Sequence, residues 1–177
     1  MLRLTVSGPP GSGTSTLVDK ICQSRNWTSL NGGDIFRAEA TARGLSVVEF
    51  SALCKQDLDV DRDLDAKLKE ILSNPESPDV VESRLSGWWA HQLDLDCLRV
   101  WVSVSDEERA RRIQIREGGS LEERLLESRQ RQADDNQRYM ELYEIDMSDM
   151  TPYNLIIDAD DIDADGVFRL VSEELGG

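Results

Sequence analysis

Apolar residues cluster in four short segments of the chain and recur at helical spacing in the stretches between them. Leu2, Leu4 and Val6 open the chain as a short buried strand over residues 2–7, and Leu98 to Val104 is the strongest later strand; 79–83 and 153–158 read as two more. Leu17, Val18 and Ile21 share one face of a helix that begins near Thr14. Further helices are predicted over 35–43, 46–56 and 61–73, the last ending at Ser73-Asn74-Pro75. Ser105 and Glu108 form a capping-box pattern that opens a helix running to about Arg116. Gly118-Gly119 breaks it, a long charged helix follows from Leu121 to about Tyr143, and 167–175 closes the chain as an amphipathic helix. A strand, a glycine-rich turn, a helix, and then strands separated by helices predict an α/β fold: a parallel sheet wrapped by helices. Ligands of such sheets bind beyond the carboxyl ends of the strands, which is where Gly8 to Thr16 falls.

Composition narrows the classes of function. A chain of 177 residues fits one globular domain with a sizeable core, and it shows neither an internal repeat nor a low-complexity linker. Asp and Glu number 35 against 20 for Lys and Arg, a formal net charge of -15, so the surface repels nucleic acid polymers and anionic membranes. Lysine occurs only at Lys20, Lys55, Lys67 and Lys69, so arginine carries nearly all the positive charge. Such a surface resembles proteins adapted to high salt, and a GC-rich genome would produce the same arginine bias. No apolar run approaches the roughly 18 residues of a membrane span. The opening segment is broken too early by Ser7-Gly8-Pro9 to be a signal peptide, so a cytoplasmic protein is expected. Cys22, Cys54 and Cys97 are scattered and His91 is the sole histidine, which argues against a disulfide framework or a zinc site.

Candidate chemistry begins at Gly8-Pro9-Pro10-Gly11-Ser12-Gly13-Thr14-Ser15-Thr16, which fits the phosphate-loop pattern G-x-x-x-x-G-K-[ST] at every required position except the lysine. The glycines let the backbone wrap a phosphate, and the following helix adds its positive N-terminal end. Ser15 is placed to hold Mg²⁺ through its hydroxyl. Thr14 stands where lysine is expected, so either another cation fills the gap or the protein binds nucleotide without turning it over. Arg109, Arg112 and Arg116 recur at helical spacing, and Arg131 and Arg138 follow beyond the glycine break. Arginine meets two phosphate oxygens at once with its planar fork, which suits phosphoryl transfer; the bland alternative is a solvated helix laced with ion pairs.

Downstream lie Gly33-Asp34-Ile35-Phe36-Arg37, Glu82-Ser83-Arg84-Leu85-Ser86-Gly87-Trp88, Arg138-Tyr139 with Tyr143-Glu144-Ile145-Asp146, and Pro152-Tyr153-Asn154-Leu155. Together with the loop, and in this order, these motifs resemble the archaeal type of cytidylate kinase within the nucleoside monophosphate kinase family. The resemblance implies a P-loop fold with a five-stranded parallel sheet, a helical acceptor-binding arm and an Arg-rich lid in one domain over 1–177. The core would take about 1–33, 74–111 and 144–177, the arm about 34–73 and the lid about 112–143. It implies ATP and CMP or dCMP as substrates, Mg²⁺ as cofactor and a monomer as the working unit. Gly8 to Thr16 would bind ATP. Arg37 and Arg84 would clamp the acceptor phosphate, with Asp34 beside them as substrate contact or, more simply, as the cap of the helix that starts at Ile35. Glu82 would orient the metal together with Ser15, the plain alternatives being an N-cap or an ion pair with Arg84. Arg112, Arg116 and Arg131, with Arg138 behind them, would be the lid arginines, and Asp134 and Asp135 would orient them. At most one of Trp88 and Trp89 could flank a base, since adjacent residues point different ways, and core packing is the commoner role; His91 reads as a surface residue. Adenylate kinase, a shikimate-type kinase and a nucleotide-binding regulator without catalysis are the competing readings. Thr14 is the support for the regulator.

Overall fold

A computed structural model describes residues 1–176, with the side chains of 47, 48, 51 and 55 left aside. In chain order the elements are β1 (Leu4–Ser7), α1 (Thr14–Arg25), β2 (Ser29–Asn31), α2 (Gly32–Ala42), α3 (Val47–Gln56), α4 (Leu58–Ser73) and β3 (Val80–Glu82). They continue as α5 (Ser86–Gln92), β4 (Leu98–Ser103), α6 (Asp106–Glu117), α7 (Leu121–Tyr143), β5 (Leu155–Asp158) and α8 (Ala164–Glu174). The five strands pair in the order β2-β3-β1-β4-β5, all parallel. β1 is central and buried along its whole length, so the loop that leaves it is held from both sides.

Alternation along the strands sorts the core into two layers. Leu4, Val6, Val80, Val100 and Val102 face α1 and α8, whose Leu17, Val18, Ile21, Val167 and Val171 complete that layer. Val81 turns to the other side and packs with Leu68, Leu72, Leu85, Trp89, Tyr139 and Ile145. Phe50, Cys54, Val60 and Ala40 form a third, separate cluster under Phe36, so helices α2 to α4 have a core of their own. The pair α6 and α7 differs. Its buried residues include Arg109 and Ser128, and polar contacts join it to the rest.

Most predicted elements lie where their local signals put them. Ser46 with Glu49 and Ser120 with Glu123 close full capping boxes at the starts of α3 and α7. At α6 only half of the box forms: Ser105 Oγ accepts from the Glu108 amide, while the Glu108 carboxylate accepts from Arg111 and Arg112 instead. The Ser105 amide donates to Asp160 at 2.6 Å, so its donor is satisfied from another part of the chain. Two elements were not predicted. β2 is three residues long with one apolar side chain, and it exists because it pairs with β3; α5 is too short to show a period.

Gly87 opens α5 against Tyr153: a Cβ there would stand 2.3 Å from the tyrosine ring. We expect Gly87→Ala to destabilise the protein by roughly 1–3 kcal/mol, the usual cost of overpacking. Urea denaturation measures this, and an unchanged midpoint would show that the ring can move aside. The net charge of -15 makes a second prediction. Many of the arginines are already in ion pairs, most of them exposed and individually weak, so the excess of carboxylates is left to repel itself. Thermal unfolding should shift upward between about 0.1 M and about 1 M KCl, as the screening length falls from about 10 Å to about 3 Å. A midpoint that stays level or falls would show that ion pairing outweighs the repulsion.

Candidate active site

β1 ends at Ser7, and Gly8 to Gly13 carries the chain over the carboxyl edge of the sheet into α1. Gly11 and Gly13 sit at φ of 84° and 87°, the left-handed region that favours glycine, and Gly13 is the residue that caps α1. A Cβ at Gly8 would stand 2.6 Å from Ser12 Oγ and 2.8 Å from the Val102 carbonyl, so the loop closes on itself only with glycine there. Ser12 Oγ is buried and has no partner among the described residues, as befits a cradle whose ligand supplies the missing bond. Thr14 follows at the head of α1, with its methyl 3.1 Å from where a Gly8 Cβ would be.

The strand register sets the next group. Val6 on β1, Glu82 on β3 and Asn31 on β2 are lateral neighbours at the strand ends. Ser15 Oγ donates to Glu82 Oε1 at 2.8 Å, and Asn31 Nδ2 donates to Glu82 Oε2 at 2.7 Å. Asn31 Oδ1 in turn accepts from the Gly33 amide at 2.7 Å and caps α2. Asn31 was not singled out in the sequence. Its signal was an asparagine directly before Gly32-Gly33, and the cap that sequence reasoning gave to Asp34 belongs to it. α2 starts at Gly32, three residues before the predicted start at Ile35, because Asn31 satisfies its first amides. Asp34 lies in the first turn and accepts from Arg37 at 2.5 Å. Arg37 points back toward the helix start, its Nη1 3.2 Å from a Cβ built on Gly33.

The two alternatives considered for Glu82, an N-cap or an ion pair with Arg84, are not what forms. Arg84 Nη1 donates to the Gly8 carbonyl at 2.7 Å, and its Nε lies 3.2 Å from Asp135 on α7. Arg84 thus joins the loop to α7, and burial pushes its pKa down while Asp135 pulls it up. Asp135 also accepts from Arg138 at 3.0 Å, and Arg138 Nε comes within 3.3 Å of Asp61 on α4. That last approach is an ion pair without hydrogen-bond alignment, since both atoms are otherwise unpartnered. Burial raises the Asp61 pKa and Arg138 opposes it. Beside them the Tyr139 hydroxyl, fully enclosed, is pushed up to about 12. A line of alternating charge therefore runs from α4 through α7 to the phosphate loop.

Of the four candidate lid arginines, the structure brings Arg112 to the loop and Arg138 to this line. Arg112 donates from Nε to Glu108, from Nη1 to the Ser12 carbonyl at 3.4 Å and from Nη2 to the Ala159 carbonyl at 2.6 Å. It borders a cavity of about 240 Å³ beside the loop, lined also by Gly13, Thr16, Leu17, Ile162 and Val167. Arg116 does not reach the loop. Its side chain is 67 % exposed and pairs with Glu117, because α6 runs off the sheet and only its first half touches the core. Arg131 is likewise exposed, midway along α7.

Ser15 and Glu82 offer a magnesium ion hard oxygen ligands next to the phosphate cradle, and the described residues hold no group of three or more His, Cys, Asp or Glu suited to a metal. One or two protein oxygens beside substrate phosphates is the usual manner in which magnesium is held, so the donor set fits.

The sheet order, the cradle after the first strand and the serine–glutamate pair across its edge define a P-loop nucleotide-binding protein of the small-kinase class. A family model described as an AAA domain matches residues 7–141. Among solved structures, shikimate kinase from Bacteroides thetaiotaomicron shares the fold, with a TM-score of 0.60 over 98 % of both chains at 16 % identity. The cytidylate kinase of Archaeoglobus fulgidus is 37 % identical over 96 % of this chain and 92 % of its own. That of Haloarcula marismortui is 38 % identical over 94 % of this chain and 85 % of its own. The chain belongs to the cytidylate kinase family.

Proposed function

We propose that this protein transfers the γ-phosphoryl group of ATP to CMP or dCMP, giving ADP and CDP or dCDP. The observation that carries the reading is the hydrogen-bonded line Ser15–Glu82–Asn31, which ties the start of α1, the donor side, to the cap of α2, the acceptor side. The phosphate loop from Gly8 to Thr16 wraps the donor triphosphate with backbone N–H groups. Arg37 at the base of α2 meets the acceptor phosphate, and Arg84 stands between the two nucleotides, able to exchange its bond to Gly8 or Asp135 for phosphate oxygens. Arg112, and Arg116 and Arg131 once the lid closes, supply positive charge to the moving group; Arg138, behind them, links α7 to α4 through Asp135 and Asp61. Magnesium, when bound, would supply positive charge that offsets the charge developing on the phosphate oxygens. Ser15 and Glu82 would hold it. Phosphoryl transfer asks for positioning and positive charge, and these residues are arranged for both.

In this reading the arm is about 34–73, which has its own small core, and the lid about 112–143; Gly177 of the single domain 1–177 lies outside the described residues. We read the working unit as a monomer in the cytoplasm, with ATP and the nucleoside monophosphate as its only partners. No described helix is long and apolar enough to cross a membrane.

An ADP-release assay with ATP and Mg²⁺ in high KCl, offering CMP, dCMP, UMP, AMP and shikimate separately, tests the proposal. Turnover with CMP or dCMP is expected. Turnover confined to AMP or shikimate would keep the mechanism and replace the acceptor. A folded protein that binds ATP and turns over none of them would be a regulator.

A further inference from the structure

Arg109 is only 1 % exposed, so its charge has left water and must be met inside the protein. Asp106 meets it with one oxygen and accepts from Arg129 at 2.8 Å with the other, while Arg129 has Glu107 as a second partner at 3.0 Å. The remaining contacts are neutral: Gln132 Oε1 at 2.6 Å, Ser128 Oγ at 3.0 Å and the Pro10 carbonyl at 3.3 Å. An apolar side chain of the same length would fill this slot without the desolvation cost. Its Nε–H has no partner among the described residues, and the cation sits against the back of the phosphate loop.

Where it touches the loop is informative. The Pro10 carbonyl and the Gly11 N–H belong to one peptide unit, so donation to the oxygen draws electrons from the nitrogen and strengthens that N–H as a donor. Arg112 does the same to the next such unit, through the Ser12 carbonyl and the Gly13 N–H. Neither the Gly11 nor the Gly13 N–H has an acceptor among the described residues, and both glycines hold the positive φ of an anion-binding nest. α6 lies close enough to fix this relation, since a Cβ on Gly11 would stand 3.2 Å from the Arg109 carbonyl and 3.1 Å from Ile113. Thr14, on the ligand side, brings no charge.

We propose that Arg109 is a positioning residue for the donor triphosphate: from behind the loop it polarises the Pro10–Gly11 peptide unit and so supplies part of the positive charge that Thr14 leaves out, without touching ATP. This rests on the reading of the loop as the ATP site. It makes the contribution of Arg109 depend on what stands at position 14, a dependence that a packing role would not produce.

Isothermal titration of MgATP without acceptor is the test, on the whole protein and on Arg109→Gln, Arg109→Lys, Thr14→Lys and the double variant Thr14→Lys/Arg109→Gln, each checked for folding by circular dichroism. Arg109→Gln should bind MgATP about tenfold more weakly, and Arg109→Lys, which keeps the charge, within about threefold of the parent. In the Thr14→Lys background the glutamine change should cost less than about threefold, because the new lysine supplies the charge directly. Equal losses in both backgrounds, or none in either, would overturn the proposal. Should the glutamine variant not fold, a folded Arg109→Lys protein that loses tenfold would overturn it alone. A parent protein that does not bind MgATP would overturn the ATP-site reading as well; binding that is indifferent to Arg109 would remove only this inference.

Discussion

Glu82→Gln should lower kcat by about 10²–10³-fold, the loss typical of removing one electrostatic group from a phosphoryl or oxyanion site. Hydrogen-bond direction is the reason. Glu82 accepts on both oxygens, from Ser15 Oγ and from Asn31 Nδ2. A glutamine has one acceptor and one donor end. Asn31 cannot turn its amide over without giving up the cap on Gly33, so the glutamine carbonyl goes to Asn31 and its NH₂ faces Ser15. The serine hydroxyl must then accept, and its hydrogen swings toward the phosphate cradle, where a lone pair is wanted for magnesium. The side chain keeps its volume and its place at the strand end, so stability should change little. Initial rates against Mg²⁺ concentration check this: the magnesium requirement should rise together with the fall in kcat. A variant with parental kcat and parental magnesium dependence would remove the metal role from both Glu82 and Ser15.

Arg37→Ala should raise the KM for CMP by about 10- to 100-fold, the value of a charge-assisted hydrogen-bond pair to phosphate. MgATP binding should be unaltered. The residue is on the surface and, among the described residues, its side chain pairs with its neighbour Asp34; such exposed pairs contribute little to stability, so the fold should hold. Arg37→Lys should fall between the two, because an ammonium keeps the charge but loses the two-pronged geometry. Initial-rate kinetics with CMP varied at saturating ATP give the answer. An unchanged KM would take the acceptor phosphate away from α2 and leave Arg84 as the candidate clamp.

Arg84 shows how far sequence reading reaches. Its place after a strand, in a motif shared with a known family, marked it as functional. Nothing in the sequence marked its bonds to Gly8 and Asp135, which lie 76 and 51 residues away along the chain. The helix arginines make the same point. Arg109, Arg112 and Arg116 share a face by spacing, yet the first is enclosed, the second borders a cavity and the third is in solvent. Periodicity assigns a face; how far along that face the neighbouring elements extend is a property of the assembled fold. Asn31 was missed for a related reason, since its strand is too short and too polar to announce itself.

What the sequence determined by itself was whatever depends on neighbours a few residues apart. The long helix from Leu121 to Tyr143 follows from its Ser120–Glu123 box, the cradle from Gly8, Gly11 and Gly13, and the surface charge from composition. The family follows from motifs that survive in order along the chain. The tertiary structure alone decided which carboxylate meets Ser15, which arginines turn inward and which carbonyls they grip. These are pairings across 47 to 100 residues of chain, and they form only when parallel strands in the order β2-β3-β1-β4-β5 bring their carboxyl ends to one edge. Local propensity has no term for that distance, whereas burial of the sheet's two faces fixes the register and, with it, every such pair.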